Sequence, residues 1–188
     1  MKEADPAYRY SFLVIGLIFV GTFNKIFTAL LGQHSHWRID HSLAGLIFLI
    51  IYAGLVLEGA HTRKRLQRFV LVAIIPTYIG TVFPDLDITV LGIGGHRNPL
   101  FHSCLTYWVL AGALLGKGTE MRYITIGYGL GLSSHLFIDA FDRAAIRWLP
   151  GGHFIDQIWL VGNSLLCLVF PPGTQRRALP HTSSIERQ

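Results

Sequence analysis

Three short stretches of the sequence concentrate side chains that can bind metal ions or transfer protons. They are HSLAG at 41–45, PDLDITVLGIGGHRNPLFHS at 84–103 and SSHLFIDAFD at 133–142. Imidazole and carboxylate groups together suit zinc, manganese or iron, whereas calcium prefers oxygen ligands and copper(I) prefers sulfur. These residue types therefore indicate a divalent-metal centre built from histidine and aspartate.

Two aspartates lie where a helix is expected to end. Asp85 and Asp87 are two positions apart, a spacing at which a continuous helix would point them in different directions. Pro84 and the glycines at 92, 94 and 95 predict that the helix ends here. The backbone can then turn both carboxylates inward.

The histidines have spacings that suit two different local structures. His135 and Asp139 are four positions apart, so a helix stacks them on one face, close enough to share a metal ion. His96 and His102 are separated by six positions with Pro99 between them, which predicts a loop-to-helix junction rather than a continuous helix.

The elements that must position these groups are expected to lie in a membrane. With 51% apolar and 14% charged residues among 188, the chain is too hydrophobic for an ordinary soluble domain. The net charge of +5 comes from short basic clusters, which indicate membrane topology rather than a nucleic-acid partner. Two cysteines without a CxxC spacing give no thiolate metal site and no redox motif.

Six apolar segments are candidates for spanning helices, each of which needs about 20 mostly apolar residues. They lie at 10–31, 41–59, 69–84, 100–116, 122–141 and 154–171. We therefore expect an all-α, polytopic transmembrane helix bundle in a single domain over residues 1–171, followed by a flexible tail at 172–188. In the fifth segment, Gly127 and Gly131 have the GxxxG spacing at which two helices approach closely.

The basic stretch HTRKRLQR at 61–68 sets the expected orientation, because cytoplasmic loops are enriched in lysine and arginine. With this loop inside, both termini are cytoplasmic, and the histidine and aspartate groups all fall at the outer surface. We expect an integral protein of the bacterial inner membrane whose site faces the extracytoplasmic side. The convergence of the polar groups needs only alternating spans, so it holds in either orientation.

Placing an ionisable group at membrane depth costs about 2.5 to 3.5 kcal/mol of insertion free energy. A set drawn from several helices therefore needs compensation by a metal ion, by water or by mutual pairing. A single histidine is more often a plain interfacial residue, and an aspartate at a span end is often a helix cap. Their convergence favours one or two divalent ions, with zinc expected and manganese or iron as alternatives. Arg97 could bind a phosphate bidentately, or it could cap a helix or meet lipid headgroups.

Four motifs together resemble a known family over about residues 34–150: HSLAG at 41–45, PDLD at 84–87, HRNPLFHS at 96–103 and SHLFIDAF at 134–141. The family is the LexA-regulated, membrane-bound metal-dependent hydrolases, the YdjM-like group. The resemblance implies metal-site positions at His41, Asp85, Asp87, His96, His102, His135 and Asp139. The His-xxx-Asp pair with upstream aspartates is also similar to zinc-dependent phospholipase C and related phosphodiesterases, which indicates a phosphoester substrate.

The sequence thus predicts a membrane metallohydrolase that cleaves a phosphoester or similar bond of a lipid-linked substrate. A metal-activated water would attack, with Asp87 or His96 as general base and Arg97 binding the substrate. The alternative is a non-catalytic accessory subunit of a larger membrane complex, in which the cluster clips helices together. Ion or proton transport ranks lowest, because the polar groups lie near one end of the spans.

Overall fold

The structure is a computed structural model that describes residues 36–57, 63–114, 116–141 and 149–169. Within these ranges the fold is all-α and has no strand, as predicted. The helices in chain order are α1 (His36–Leu57), α2 (Arg63–Val82), α3 (Leu86–Leu91), α4 (Leu105–Leu114), α5 (Thr119–Phe141) and α6 (His153–Leu168), and a 3₁₀ turn at Ile93–Gly95 follows α3.

Five of the helices correspond to predicted apolar segments, with shifted boundaries. The largest shift is at the start of α2, which begins within the basic stretch, and α4 is only ten residues long. The predicted first span at 10–31 and the tail at 172–188 lie outside the described residues. Across the described ranges, no helix is both long enough and apolar enough to cross a bilayer.

Helix α5 is central and packs against α1, α2, α4 and α6. Its contact with α2 is a close one made through glycines. A Cβ atom added at Gly127 would overlap the carbonyl oxygen of Ala73, and one added at Gly131 would overlap that of Thr77. Small residues at this spacing let two helix backbones meet. The predicted GxxxG contact is therefore confirmed, with α2 as its partner.

The bundle buries polar side chains beside its apolar core and exposes apolar side chains on its outer surface. Thr77 and Thr81 of α2 and Ser133 and Ser134 of α5 are buried. Each hydroxyl bonds a nearby carbonyl; Thr77 Oγ1, for example, donates to Ala73 at 2.8 Å. On the opposite face of α2, Leu71, Ile75 and Ile79 are 69%, 46% and 50% exposed. An apolar outer face of this kind marks a surface made to contact something other than water.

The connection between α2 and α4 brings the second motif into the bundle. As predicted, the helix ends before the two aspartates, at Val82. The short helix α3 follows, and Asp85 occupies its N-cap position without a capping hydrogen bond from its side chain. Gly92 then takes a positive φ of 74° as the chain turns. Asp85 therefore lies directly before α3, and Asp87 lies in its first turn.

Candidate metal centre

Asp139 is the hub of a buried cluster drawn from three parts of the fold. Its Oδ1 lies 3.2 Å from His41 Nε2 of α1. Its Oδ2 lies 3.3 Å from His102 Nε2 and 3.3 Å from His135 Nε2. His135 and Asp139 share one face of α5 at the i,i+4 spacing, as the sequence predicts. One carboxylate therefore meets three imidazoles.

Asp87 is a second buried carboxylate, and it contacts the segment that carries His96 and His102. Its Oδ1 accepts a hydrogen bond from His96 Nδ1 at 3.0 Å, and its Oδ2 accepts one from the backbone N–H of Asn98 at 3.0 Å. His102 Nδ1 lies 3.3 Å from Oδ2. Burial alone would raise the pKa of Asp87, but the contacts from His102, His96 and Asn98 hold it well below its usual range.

His102 lies between the two carboxylates and is fully buried. Burial alone would lower its pKa, but Asp139 and Asp87 outweigh burial and raise the pKa of His102 to about 9. Its backbone carbonyl accepts a hydrogen bond from Trp159 Nε1 of α6 at 2.8 Å, which fixes this end of the loop. The cluster thus attracts positive charge at the position of His102, whether from a proton or from a metal ion.

The hydrogen bonding of His135 defines which of its nitrogens faces the cluster. Nδ1 lies 2.7 Å from the carbonyl oxygen of Thr81, and a carbonyl can only accept, so Nδ1 carries the hydrogen. Nε2 of the neutral ring then presents its lone pair towards carboxylate oxygens of Asp139 at 3.3 Å and Asp85 at 3.9 Å. A lone pair facing anionic oxygens is stable only with a proton or a cation between them.

Several buried atoms of the cluster lack a hydrogen-bond partner although they lie close together. They are Nδ1 and Nε2 of His102, Nε2 of His135 and Oδ2 of Asp139. Their contacts of 3.3 Å are short enough for charge attraction, but they do not meet the geometry of a hydrogen bond. Buried polar atoms are normally satisfied, so this convergence is what a metal ion would resolve.

Two sets of donor atoms are close enough to hold a metal ion, each with its atoms within 4.8 Å of one another. They are His41, His135 and Asp139, and separately Asp85, His96 and His102. Histidine and aspartate donors match the predicted preference for zinc, manganese or iron. Buried groups that could bind one or two divalent ions are therefore present, as predicted.

Two members of the second set, Asp85 and His96, lie on the open side of the cluster. The side chains of Asp85 and His96 are 17% and 24% exposed, whereas those of His102 and His135 are almost fully enclosed. The centre thus has a deep half and an accessible half. A small group could approach from the side of Asp85 and His96.

The structure brings together all seven positions that the resemblance implies, although Asp87 belongs to neither donor set. Arg97 lies between His96 and Asn98 with a positive φ of 65°, and its buried Nε has no hydrogen-bond partner. Sequence reasoning missed the carbonyl of Thr81, the backbone N–H of Asn98 and the indole of Trp159. The first two are backbone groups, which residue types do not reveal.

The fold and the cluster together define an all-helical protein with a buried histidine and aspartate centre suited to a divalent metal. The chain belongs to the family described as a domain of unknown function, DUF5942, which matches residues 20–176. No curated protein and no solved structure matches the chain.

Proposed function

We propose that this protein is an integral membrane metal-dependent hydrolase acting on a phosphoester or similar bond of a lipid-linked substrate, related to the YdjM-like hydrolases. The observation that carries the proposal is the position of His135 Nε2, which the Thr81 contact at Nδ1 turns towards Asp139 and Asp85. A nitrogen oriented by a bond from its other ring nitrogen is the usual arrangement of a metal-binding histidine.

A lipid environment is supported by the distribution of side chains. Leu71, Ile75 and Ile79 recur every four residues on the outer face of α2, and Ile47 and Ile51 do the same on α1. Buried hydroxyls and glycine contacts between helices are typical of membrane bundles. We extend the proposal to a location in the bacterial inner membrane, with both termini in the cytoplasm and the site at the outer surface.

The two donor sets would hold one or two ions, with zinc expected and manganese or iron as alternatives. When bound, such an ion lowers the pKa of a water molecule towards about 7 and polarises a phosphoryl oxygen. The chain supplies the remaining parts. With one ion bound at His41, His135 and Asp139, His96 on the accessible side is better placed than the fully buried Asp87 to take a proton from an incoming water. With a second ion bound, His96 is a ligand instead.

Arg97 is the proposed contact for the substrate's anionic group. Its buried Nε lacks a partner, and its neighbour His96 belongs to a donor set. A guanidinium matches a phosphate bidentately. A lipid phosphoester would then place its phosphate between Arg97 and the centre while its hydrocarbon chains stay against the apolar faces of the helices.

A second candidate is favoured by the burial of the deep half of the cluster. His102 and His135 are completely enclosed, as in a closed structural site that holds helices together within a larger membrane complex. A catalytic metal needs a coordination position that water or substrate can occupy, whereas a structural metal site does not. The accessibility of Asp85 and His96 is what ranks the hydrolase first.

The test uses the full chain purified in detergent, loaded with zinc, manganese or iron(II), and assayed for hydrolysis of lipid phosphomonoesters and phosphodiesters in mixed micelles. Turnover should require metal and should be lost in Asp85→Ala and His135→Ala, while Arg97→Ala should raise KM. Stoichiometric metal retained in both ligand variants would refute the proposed centre. Stoichiometric metal without turnover of any tested ester, together with a copurifying partner, would favour the structural role.

A further inference from the structure

We propose that Asp87 is a positioning residue that fixes the ring orientation of His96 and the path of the HRNPLFH loop, and is neither a metal ligand nor the general base. This inference rests on the proposed metal centre and assigns a role within it. It replaces the expectation that Asp87 binds the metal or takes the proton.

The first support is how Asp87 uses its two oxygens. Oδ1 accepts from His96 Nδ1 at 3.0 Å, and Oδ2 accepts from the N–H of Asn98 at 3.0 Å. His102 Nδ1 adds a contact to Oδ2 at 3.3 Å. The carboxylate is fully buried, so these neighbours take up its acceptor capacity. Little of that capacity remains for a metal ion.

The second support is the tautomer that Asp87 imposes. A carboxylate that accepts from Nδ1 requires the hydrogen on that atom, which leaves Nε2 of His96 as the ring's donor to a cation. The Thr81 carbonyl has the same effect on His135. Carboxylates and carbonyls hold metal-binding histidines in this way from outside the ligand set. Asp87 does not belong to either donor set, whereas Asp85 belongs to one.

The third support is the strained residue between the two anchors. His96 and Asn98 are both bonded to Asp87, and Arg97 between them has a φ of 65°, which side-chain-bearing residues rarely adopt. A conformation of this kind persists where its surroundings enforce it. Asp87 therefore also fixes the backbone position from which the Arg97 side chain extends.

The test compares histidine tautomers and metal content in Asp87→Asn, a variant of nearly the same shape. The N–H of Asn98 can only donate, so the new amide should turn its oxygen towards Asn98 and its NH₂ towards His96 Nδ1. His96 must then accept at Nδ1 and carry its hydrogen on Nε2. ¹⁵N-histidine NMR of the metal-free protein should show this switch for His96, while His135 keeps its hydrogen on Nδ1.

Zinc affinity should fall about 10- to 100-fold in Asp87→Asn with the final stoichiometry unchanged, whereas Asp85→Ala should lose stoichiometric metal. Asp156→Asn, which alters a buried carboxylate that belongs to neither donor set, is the matched control for folding and should change neither readout. An unswitched His96, or a loss of metal equal to that of Asp85→Ala, would overturn the inference. If the wild-type protein binds no metal, the proposed function fails, while the tautomer switch still decides the role of Asp87.

Discussion

Nδ1 of His135 lies 2.7 Å from the carbonyl oxygen of Thr81, so the main chain of α2 orients an imidazole of α5. This carbonyl is in the last turn of α2, where helix carbonyls lack the usual i+4 donor. The contact continues the close packing of α2 against α5, here called the glycine seam, in steps of four residues. Ala73 meets Gly127, Thr77 meets Gly131, and Thr81 meets His135. Helix packing thus sets the direction of a candidate ligand.

Gly131→Ala should disturb both the fold and the centre. The added methyl would overlap the Thr77 carbonyl and force α5 away from α2, at a cost of about 1–3 kcal/mol in unfolding free energy. His135 would move off Thr81, so zinc affinity should fall as well. Unfolding in detergent and zinc titration measure the two effects.

Gly112→Ala is the matched control, because a methyl on this glycine of α4 meets nothing within 4 Å. It should leave zinc affinity unchanged and alter stability by at most about 1 kcal/mol, in the favourable direction. Equal zinc affinity and equal unfolding free energy in Gly131→Ala and Gly112→Ala would contradict the role of the glycine seam.

The stability of the metal-free protein should decline as pH rises from about 6.5 to about 9. His102, in the connection between α3 and α4, has its pKa raised to about 9 in the fold, above the ordinary value of about 6.5. The protonated ring between Asp87 and Asp139 stabilises the fold fully below pH of about 6.5 and loses this effect as pH passes 9. Thermal unfolding in EDTA measures the decline, and His102→Asn should weaken it.

Metal binding should show the opposite dependence on pH. An ion that binds His102 must displace its proton, so zinc affinity should rise with pH up to about 9 and level off above it. Calorimetry in buffers of different ionisation enthalpy should detect the released proton. An affinity that is flat from pH 6.5 to 9 would show that His102 does not bind the metal.

The outer face of α2 should contact lipid. Spin labels placed by Ile75→Cys and Ile79→Cys in vesicles should be reached by oxygen and shielded from a water-soluble nickel complex. A label from Lys64→Cys, an exposed basic position near the start of the same helix, should show the reverse. Labels at 75 and 79 that are open to the nickel complex would contradict a membrane bundle, and residue 64 labelled from outside would reverse the topology.

Much of this arrangement follows from residue types and spacing. Pro84 and the glycines after it predict the end of a helix, and the i,i+4 pair His135 and Asp139 predicts a shared face. The roles proposed for Asp85 and Asp87 do not follow from the sequence, because they depend on the short helix α3, which has Asp85 at its N-cap and Asp87 in its first turn. The contacts from Thr81 and Asn98 cannot be predicted from the sequence either, because both residues act through main-chain atoms. Whether such atoms are available depends on where a helix ends or a loop turns.

The most direct test is the metal content of the purified full chain after exposure to zinc, manganese or iron(II), compared with that of Asp139→Asn. Asp139 meets three imidazoles, so the amide, which keeps the size but removes the charge, should weaken metal binding more than about 100-fold. Asp156→Asn should bind as the wild type does. We expect at least one divalent ion per wild-type chain and its loss in Asp139→Asn. Wild-type protein free of metal, or full metal content in Asp139→Asn, would contradict a metal centre at Asp139.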